Sequence, residues 1–443
     1  MSRKYFGTDG IRGLVGEFPI TPDFAMKFGY AVGTVLRKIT PHPAVVIGKD
    51  TRLSGYLFES SLEAGFSYAG VDVYMVGPIP TPAVAYLTQK MNLTGGVVIS
   101  ASHNPYMDNG LKLFGSNGAK LSDEIEKDIE QALMSEMQMA PKLGKVVRLE
   151  HAREEYVNFC KSTFLPLTSL QGMNIVLDCA NGATYQVAPD VFTQLGANVI
   201  KLACEPNGTN INDACGSMHP EGLMQTVVDT QADLGIAFDG DGDRVLFVDR
   251  QGRMYNGDQL TYIIFKSYLA LDKKISGIIG TVMTNLAMEH ALNLKGFELV
   301  RTRVGDRYVL EELNRRGWHL GGESSGHIIC LDKHTTGDGI IAALQVLSAM
   351  LKLKQPLHEL LDWLAYPQVM INISLDDKSA MDDWMSRCGS VIDEAKSELK
   401  EDGRVIVRAS GTEPVVRVMV EAKTHELASF WAKKISSQIT VAL

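Results

Sequence analysis

Short runs of β-branched and other apolar residues alternate along the chain with longer stretches whose apolar positions recur every three or four residues. A period of two marks strands and a period near 3.6 marks helices, so the alternation predicts an α/β architecture. Strands are expected at Ala44–Ile47, Val71–Val76, Gly96–Ser100, Asn174–Asp178, Asn198–Leu202 and Gly277–Val282. Helices are expected at Leu57–Tyr68, Val187–Leu195, Asp306–Arg316 and Asp338–Leu353. Three segments, Val45–Arg52, Ile175–Thr184 and Ile278–Asn285, share the order apolar strand, polar turn, helix, which predicts a weak threefold repeat of α/β units. From about Pro367 the pattern changes. Strand Val369–Leu375, helix Met381–Leu399, strands Arg404–Arg408 and Val415–Glu421 and helix His425–Ile439 predict a small α+β domain with an antiparallel sheet.

A chain of 443 residues is too long for one core. At roughly 100–200 residues per domain it should hold about three or four. Apolar residues at 45% and charged residues at 21% are ordinary for a soluble globular protein. A net charge of −9 excludes a general nucleic-acid binder, which needs a dominant basic surface. It leaves room for phosphorylated metabolites, provided the basic groups converge on one cleft. The six cysteines, Cys160, Cys179, Cys204, Cys215, Cys330 and Cys388, form no Cys-x-x-Cys pair and read as free thiols in a reducing compartment. The opening MSRKYFGTDGIRG has no apolar core of a secretory signal, and the apolar stretch Gly339–Leu351, broken by Gln345, is too short to span a bilayer and reads as a buried helix. The expected location is the cytoplasm.

The strongest chemical signal is Asp239-Gly240-Asp241-Gly242-Asp243-Arg244, set between the apolar runs Leu234–Phe238 and Val245–Val248. Three carboxylates at alternate positions can turn inward around one hard cation, and the intervening glycines permit the sharp turn. Buried together without a cation they would be very costly. An EF-hand loop would need Gly and Glu where Arg244 and Arg250 stand, so that reading fails. An acidic surface turn is the plain alternative, and strands on both sides disfavour it.

Ser100-Ala101-Ser102-His103-Asn104-Pro105 follows the strand-like Gly95–Ile99 and precedes Asp108-Asn109-Gly110-Leu111-Lys112. A serine on a turn after a buried strand can face a cleft, with His103 and Lys112 near enough to supply protons or positive charge. The same residues read equally well as an ordinary Asn-Pro turn. Arg408-Ala409-Ser410-Gly411-Thr412-Glu413-Pro414, with Arg417 beyond, has the hydroxyls, glycine and arginines of a phosphate cradle, or of a hairpin loop. Cations also cluster near glycines at Phe6–Gly13, Gly48–Arg52 and Val304–Tyr308. Gly322-Glu323-Ser324-Ser325-Gly326 matches a Gly-x-Ser-x-Gly nucleophile elbow, which makes a serine hydrolase using Ser324 the alternative from another reaction class. An elbow needs a helix after the serine, whereas Ile328–Leu331 reads as a strand with His327 just before it.

Taken in order, the serine loop, the aspartate triad, Gly-Glu-x-Ser-Gly-His and Arg-x-Ser-Gly-Thr-Glu-Pro resemble the motifs of the α-D-phosphohexomutase superfamily, over essentially the whole chain from Phe6 to Glu421. The opening Phe-Gly-Thr-Asp-Gly-Ile-Arg-Gly, Ser-Ala-Ser-His-Asn-Pro and Val304–Val309 are similar to the branch acting on glucosamine phosphate, with the phosphomannose and phosphoglucose mutases as the close alternative. The resemblance implies three similar α/β domains with mixed sheets and a smaller C-terminal α+β domain around a central cleft. Their expected extents are residues 1–150 (phosphoserine), 151–252 (metal), 253–367 (sugar) and 368–443 (phosphate). It further implies a phosphorylated Ser102 that, with Asp239, Asp241 and Asp243, holds one Mg²⁺. Arg12, Lys112, Arg244 and His327 match positions near the transferring phosphoryl group, Glu323 and Ser325 match residues gripping sugar hydroxyls, and Arg408, Ser410, Gly411, Thr412 and Arg417 match the distal phosphate site. Ser324 departs from the Gln or Asn that this branch often carries. The implied reaction isomerises glucosamine 6-phosphate and glucosamine 1-phosphate through a hexosamine 1,6-bisphosphate. The partner is thus a small phosphosugar, with neither nucleic acid nor membrane, and a homodimer is the assembly to test. A binding protein without catalysis would need no nucleophile, which Ser102 and the triad argue against.

Overall fold

Central strands such as Gly95–Ile99 and Leu234–Phe238 are buried on both faces while edge strands such as Val146–Arg148 are exposed, and four separate sheets result. The computed structural model describes residues 4–7, 9–374, 384–409 and 415–441. The first sheet contains β1 (Ile11–Leu14), β2 (Ala44–Lys49), β3 (Asp72–Pro78), β4 (Gly95–Ile99), β5 (Asp108–Gly115) and β6 (Val146–Arg148), in the order β1-β5-β4-β2-β3-β6. Its β2, β3, β4 and β6 run parallel, while β5 is antiparallel to both β1 and β4. Parallel strands need helical crossovers that cover the sheet faces. The helices Pro22–Ile39 and Ser54–Tyr68 bury Phe24, Phe28, Phe58, Leu62 and Phe66 in one core with Val45, Ile47, Val97 and Ile99. Pro22 opens its helix where a missing N–H costs nothing.

The second sheet comprises β7 (Asn174–Asp178), β8 (Asn198–Leu202), β9 (Leu234–Phe238), β10 (Val245–Asp249) and β11 (Met254–Tyr255), ordered β11-β10-β9-β7-β8. The third has β12 (Gly277–Thr281), β13 (Glu298–Thr302), β14 (Leu320–Gly322) and β15 (Ile328–Cys330), ordered β13-β12-β14-β15. Both mix parallel and antiparallel pairs. The helix Gly257–Ala270 starts with a capping box between Asn256 and Gln259. Helix Gly339–Leu353 is the expected buried apolar helix. Asp338 caps it by accepting the Ile341 N–H at 3.0 Å, and Gly339 through Ala349 are buried. No helix among the described residues is long and apolar enough to cross a membrane. Cys160, Cys179, Cys204, Cys215 and Cys330 are free thiols, and every one of them except Cys204 is buried.

The chain divides into two compact units, Met1–Met283 with Leu299–Leu361, and Thr284–Glu298 with Asp362–Leu443. The first contains the sheets already described, apart from the leading residue of β13. The second contains an antiparallel sheet of β16 (Gln368–Ser374), β17 (Gly403–Ala409) and β18 (Val415–Ala422), ordered β16-β18-β17. Its core gathers Val416, Val418 and Val420 from β18 with Trp431 and Ile435 of the helix His425–Val441. Fully buried Glu421 pairs with Arg404 and accepts the Leu286 N–H at 2.8 Å. Removing one partner of a buried pair strands the other charge, so Glu421→Leu should cost about 3 kcal/mol, measurable as a lower urea midpoint.

The expected strands Asn174–Asp178 and Asn198–Leu202 and the helix Asp306–Arg316 match residue for residue. Each of the three strand–turn–helix segments is a strand followed by a helix, at β2, β7 and β12. Strands β1, β5, β6, β11, β13 and β14 were not expected. In β5 the turn-forming residues Asp108, Asn109 and Gly110 are drawn into extended structure by pairing on both sides, which places Lys112 mid-strand.

Candidate active site

Ser102 sits just beyond the C-terminal end of β4, on a loop held rigid from behind. Its backbone is left-handed at φ 54°, a conformation that non-glycine residues rarely adopt and that tends to persist at functional sites where the surroundings impose it. The surroundings here are explicit. The Ser102 N–H donates to Ser100 Oγ at 2.8 Å, and the Ser102 carbonyl accepts from Arg52 Nη2 at 3.0 Å and Asn212 Nδ2 at 2.9 Å. Arg52 is wholly buried. Its guanidinium also reaches the carbonyls of Asn104 (2.7 Å), Asp108 (3.0 Å) and Pro105, and its Nε donates to Asp50 at 2.9 Å. In the sequence this arginine was only one of several cations near glycines. Nothing local marks it as the clamp of the serine loop.

The aspartate motif is the turn joining β9 to β10, whose register closes at Phe238↔Val245. Its glycines have separate tasks. A Cβ on Gly240 would stand 2.5 Å from the Ser102 carbonyl oxygen, and Gly242 has φ 76°. The turn can therefore lie directly against the serine loop and bring its carboxylates inward. Ligand atoms of Asp239, Asp241 and Asp243, all buried, lie within 4.8 Å of one another. The Ser102 hydroxyl donates to Asp239 Oδ2 at 2.6 Å. Asp241 Oδ2 accepts from Thr81 Oγ1 at 2.6 Å and from Lys112 Nζ at 2.8 Å. Asp241 Oδ1 and Asp243 Oδ1 are buried with no hydrogen-bond partner, though His327 Nδ1 stands 3.6 Å from Asp243 Oδ1. Three carboxylates buried together with oxygens left unsatisfied are expensive, so the donor set suits a hard divalent metal.

Electrostatics divide the triad. Burial, then Asp243 and Asp241, push the Asp239 carboxyl well up. Burial acts the same way on Asp243, but Lys112 and His327 outweigh it and hold that carboxyl below the usual range. Burial opposes the charge of Lys112, yet Asp241, Asp9 and Asp243 overcome it and raise its pKa. His327 behaves alike: burial would lower it, and Asp243 and Asp306 lift it to about 9. His103, whose Nδ1 is 3.3 Å from Ser102 Oγ, goes the other way. Burial and the charges of Arg244 and Arg12 depress it to about 4, so its ring is neutral at physiological pH.

Ser102, Arg12, Asp243, Arg244, Glu323 and His327 line one cleft of 430 Å³. Cations thus face a carboxylate cluster across a space of small-metabolite size. Glu323 is buried and accepts the Gly305 N–H at 2.6 Å, while Ser325 on the same turn is exposed. Ser324 lies in the turn between antiparallel β14 and β15, with Gly322 opposite Ile328. No helix follows it, so the nucleophile-elbow reading is overturned. Tyr5 also lines the cleft. Its segment is held by the Glu130 carboxylate, which accepts the N–H groups of Lys4 (2.9 Å), Tyr5 (2.7 Å) and Phe6 (3.2 Å).

In the second unit, Arg408 of β17 stands directly opposite Arg417 of β18. Ser410, Gly411 and Thr412 lie outside the described residues. Sequence reasoning also missed Asp9, Lys120 and Asp306. Lys120 Nζ is 2.6 Å from Asp9 and 2.5 Å from Asp306, and Asp9 pairs in turn with Arg12 and Lys112.

A fold of mixed sheets carrying a serine beside a carboxylate triad defines a class, and comparison with known proteins gives its name. Sequence models of the phosphoglucomutase/phosphomannomutase α/β/α domains I, II and III match residues 3–140, 154–252 and 256–366, and that of the C-terminal domain matches residues 370–438. The chain belongs to the phosphoglucomutase/phosphomannomutase family. Within it, the relatives at hand share one name. The phosphoglucosamine mutase of Neisseria subflava is 53% identical over 448 residues, covering 100% of this chain and 99% of its own. That of Chromobacterium violaceum is 53% identical over 444 residues, 99% of each chain. Among solved structures, a phosphoglucomutase/phosphomannomutase family protein from Burkholderia thailandensis has the same fold, with a TM-score of 0.81 at 24% identity over 98% of this chain and 97% of that one. Aspergillus fumigatus N-acetylphosphoglucosamine mutase, solved with GlcNAc-6P and magnesium, gives 0.69 at 17% identity over 99% and 96%.

Proposed function

We propose that the protein interconverts glucosamine 6-phosphate and glucosamine 1-phosphate, the activity for which its 53%-identical relatives are named. The observation that carries the mechanism is the Ser102 hydroxyl, 2.6 Å from Asp239 at the wall of a cleft shared with Arg12, Arg244 and His327. In the working enzyme Ser102 carries a phosphoryl group. Its Oγ–P bond breaks as a P–O bond forms to the free sugar hydroxyl, whose proton leaves while Ser102 Oγ regains one. Arg12, Lys112 and Arg244 hold the equatorial oxygens through charge. His327 handles the proton at the cleft wall, with neutral His103 beside Ser102 Oγ as the second candidate. Asp239, Asp241, Asp243 and a phosphoserine oxygen would hold one Mg²⁺, which when bound neutralises charge on the phosphoryl group.

The resulting hexosamine 1,6-bisphosphate turns over and returns its other phosphate to Ser102. Either end of it must then be gripped away from the reaction, a task suited to Arg408 and Arg417 with Ser410, Gly411 and Thr412. Glu323 and Ser325 would take sugar hydroxyls. These tasks divide the chain at about residues 150, 252 and 367 into phosphoserine, metal, sugar and phosphate domains. A cytoplasmic location fits a substrate of this kind, whose product feeds nucleotide-sugar and cell-wall synthesis.

A mutase assay with Mg²⁺ and catalytic hexose 1,6-bisphosphate should favour glucosamine 6-phosphate over glucose 6-phosphate and mannose 6-phosphate. Preference for a neutral sugar would keep the chemistry and overturn the substrate. No turnover of any of them, with phospho-Ser102 confirmed by mass, would overturn the function.

A further inference from the structure

Lys120 lines no part of the cleft, yet it closes a circuit of charges around it. Starting at Asp241, the contacts run to Lys112 (2.8 Å), Asp9 (3.0 Å), Lys120 (2.6 Å), Asp306 (2.5 Å), His327 (3.7 Å) and Asp243 (3.6 Å). Carboxylates alternate with basic side chains at every step, and both ends are aspartates of the triad. Asp9 divides its oxygens, Oδ1 to Lys120 and Oδ2 to Lys112 and Arg12. Asp306 presents the same Oδ2 to Lys120 and to His327. The three added residues come from separate places: Asp9 from the loop before β1, Lys120 from a bridge residue facing Phe114 after β5, and Asp306 from the first turn of the helix after β13. Their side chains are 16–20% exposed.

We infer that Lys120, acting through Asp9 and Asp306, is the positioning residue that holds Lys112 and Arg12 on one side of the cleft and His327 on the other in a single fixed arrangement. The argument is geometric. Each carboxylate it binds is shared with a cleft cation, so removing its charge frees both carboxylates to follow the cation alone. Paired on one side only, Asp9 draws Lys112 away from Asp241, and Asp306 loses the contact that aims it. A lysine fits this place because a compact ammonium can bind two carboxylates that converge from different directions. Groups behind reacting residues commonly govern both metal affinity and rate. A second strap, Arg307 with Asp123 and Glu126, joins the same walls outside the circuit, so the walls stay connected when Lys120 is changed.

This inference rests on the phosphosugar mutase reading, and the experiment separates the two. Wild type, Lys120→Met, Lys120→Arg and Asp306→Asn are compared in the full chain for melting temperature, Mg²⁺ affinity by calorimetry, kcat and KM. Lys120→Met should lower kcat about 10–100-fold with KM within about threefold, while Mg²⁺ binds about threefold tighter because a nearby cation is gone and Lys112 has loosened from Asp241. Lys120→Arg should recover most of the rate. Combining Lys120→Met with Asp306→Asn should give less than the product of the two losses, since both break the Lys120–Asp306 link. Wild-type kcat in folded Lys120→Met, a loss that Lys120→Arg does not relieve, or fully multiplicative losses would each overturn the inference. If Lys120→Met fails to fold, Asp306→Asn carries the same comparison: an unchanged kcat there overturns it. If wild type turns over no phosphosugar, the functional reading falls, and unchanged Mg²⁺ affinity in Lys120→Met then overturns the circuit as well.

Discussion

Ser102→Ala should abolish mutase activity, with kcat down on the order of 10⁴-fold or more, while the aspartate triad still binds Mg²⁺. The size follows from removing the one atom that carries the phosphoryl group, for which positioning and charge alone cannot substitute. Two structural facts limit the collateral damage. The Ser102 loop is fixed through backbone groups, by Arg52, Asn212 and Ser100, none of which needs the serine hydroxyl. The side chain contributes one hydrogen bond to the triad, at Asp239. Metal titration by calorimetry and a bisphosphate-primed assay check the two halves together. Turnover at the wild-type level would sink the phosphoserine mechanism. Loss of metal binding with loss of turnover would instead mean that the hydroxyl organises the triad.

Arg52→Ala should be strongly destabilising. Its guanidinium satisfies the carbonyls of Ser102, Asn104, Pro105 and Asp108 and pairs with Asp50, and of these Ser102 and Asp50 are buried away from water. Burial already pushes the Asp50 carboxyl up against the pull of Arg52, so without the arginine a costly acid remains. Removing one partner of such a pair costs about 3–5 kcal/mol. That is a large share of the roughly 5–15 kcal/mol that holds a domain together. Melting should fall by about 10 °C, and the residual fold should turn over slowly because the serine backbone is no longer held. Arg52→Lys should not rescue it, since one ammonium cannot serve a planar fork of acceptors. A melt and a kcat near wild type in Arg52→Lys would refute the clamp.

What the sequence made legible follows from how local each signal is. The aspartate loop could be read because its chemistry is packed into consecutive residues with glycines between them. Strand and helix periodicity located Asn174–Asp178 and Asp306–Arg316 because burial there follows the regular pattern. β5 was hidden, because Asp108, Asn109 and Gly110 have the composition of a turn and only pairing with β1 and β4 extends them. Ser102 read as nucleophile or as plain turn with equal ease. What distinguishes the two is its contact with Asp239, a residue far along the chain. Arg52, Asp9, Lys120 and Asp306 were illegible for the same reason: each owes its role to partners that only the tertiary fold assembles. The Gly-x-Ser-x-Gly match shows the converse risk, since a motif without its strand–turn–helix setting carries no chemistry.

The grip of Glu130 on the backbone of Lys4, Tyr5 and Phe6 has a practical side. Because Tyr5 stands at the cleft, a group attached to the chain beside Lys4 and Tyr5 lies close to the reacting groups. A purification handle or a reporter placed there therefore shares its doorstep with the incoming sugar. An oligohistidine handle there would add its own imidazoles within reach of a metal-binding cleft. Handles for kinetic and calorimetric work on this enzyme belong elsewhere on the chain, or should be cut away before any metal titration is trusted.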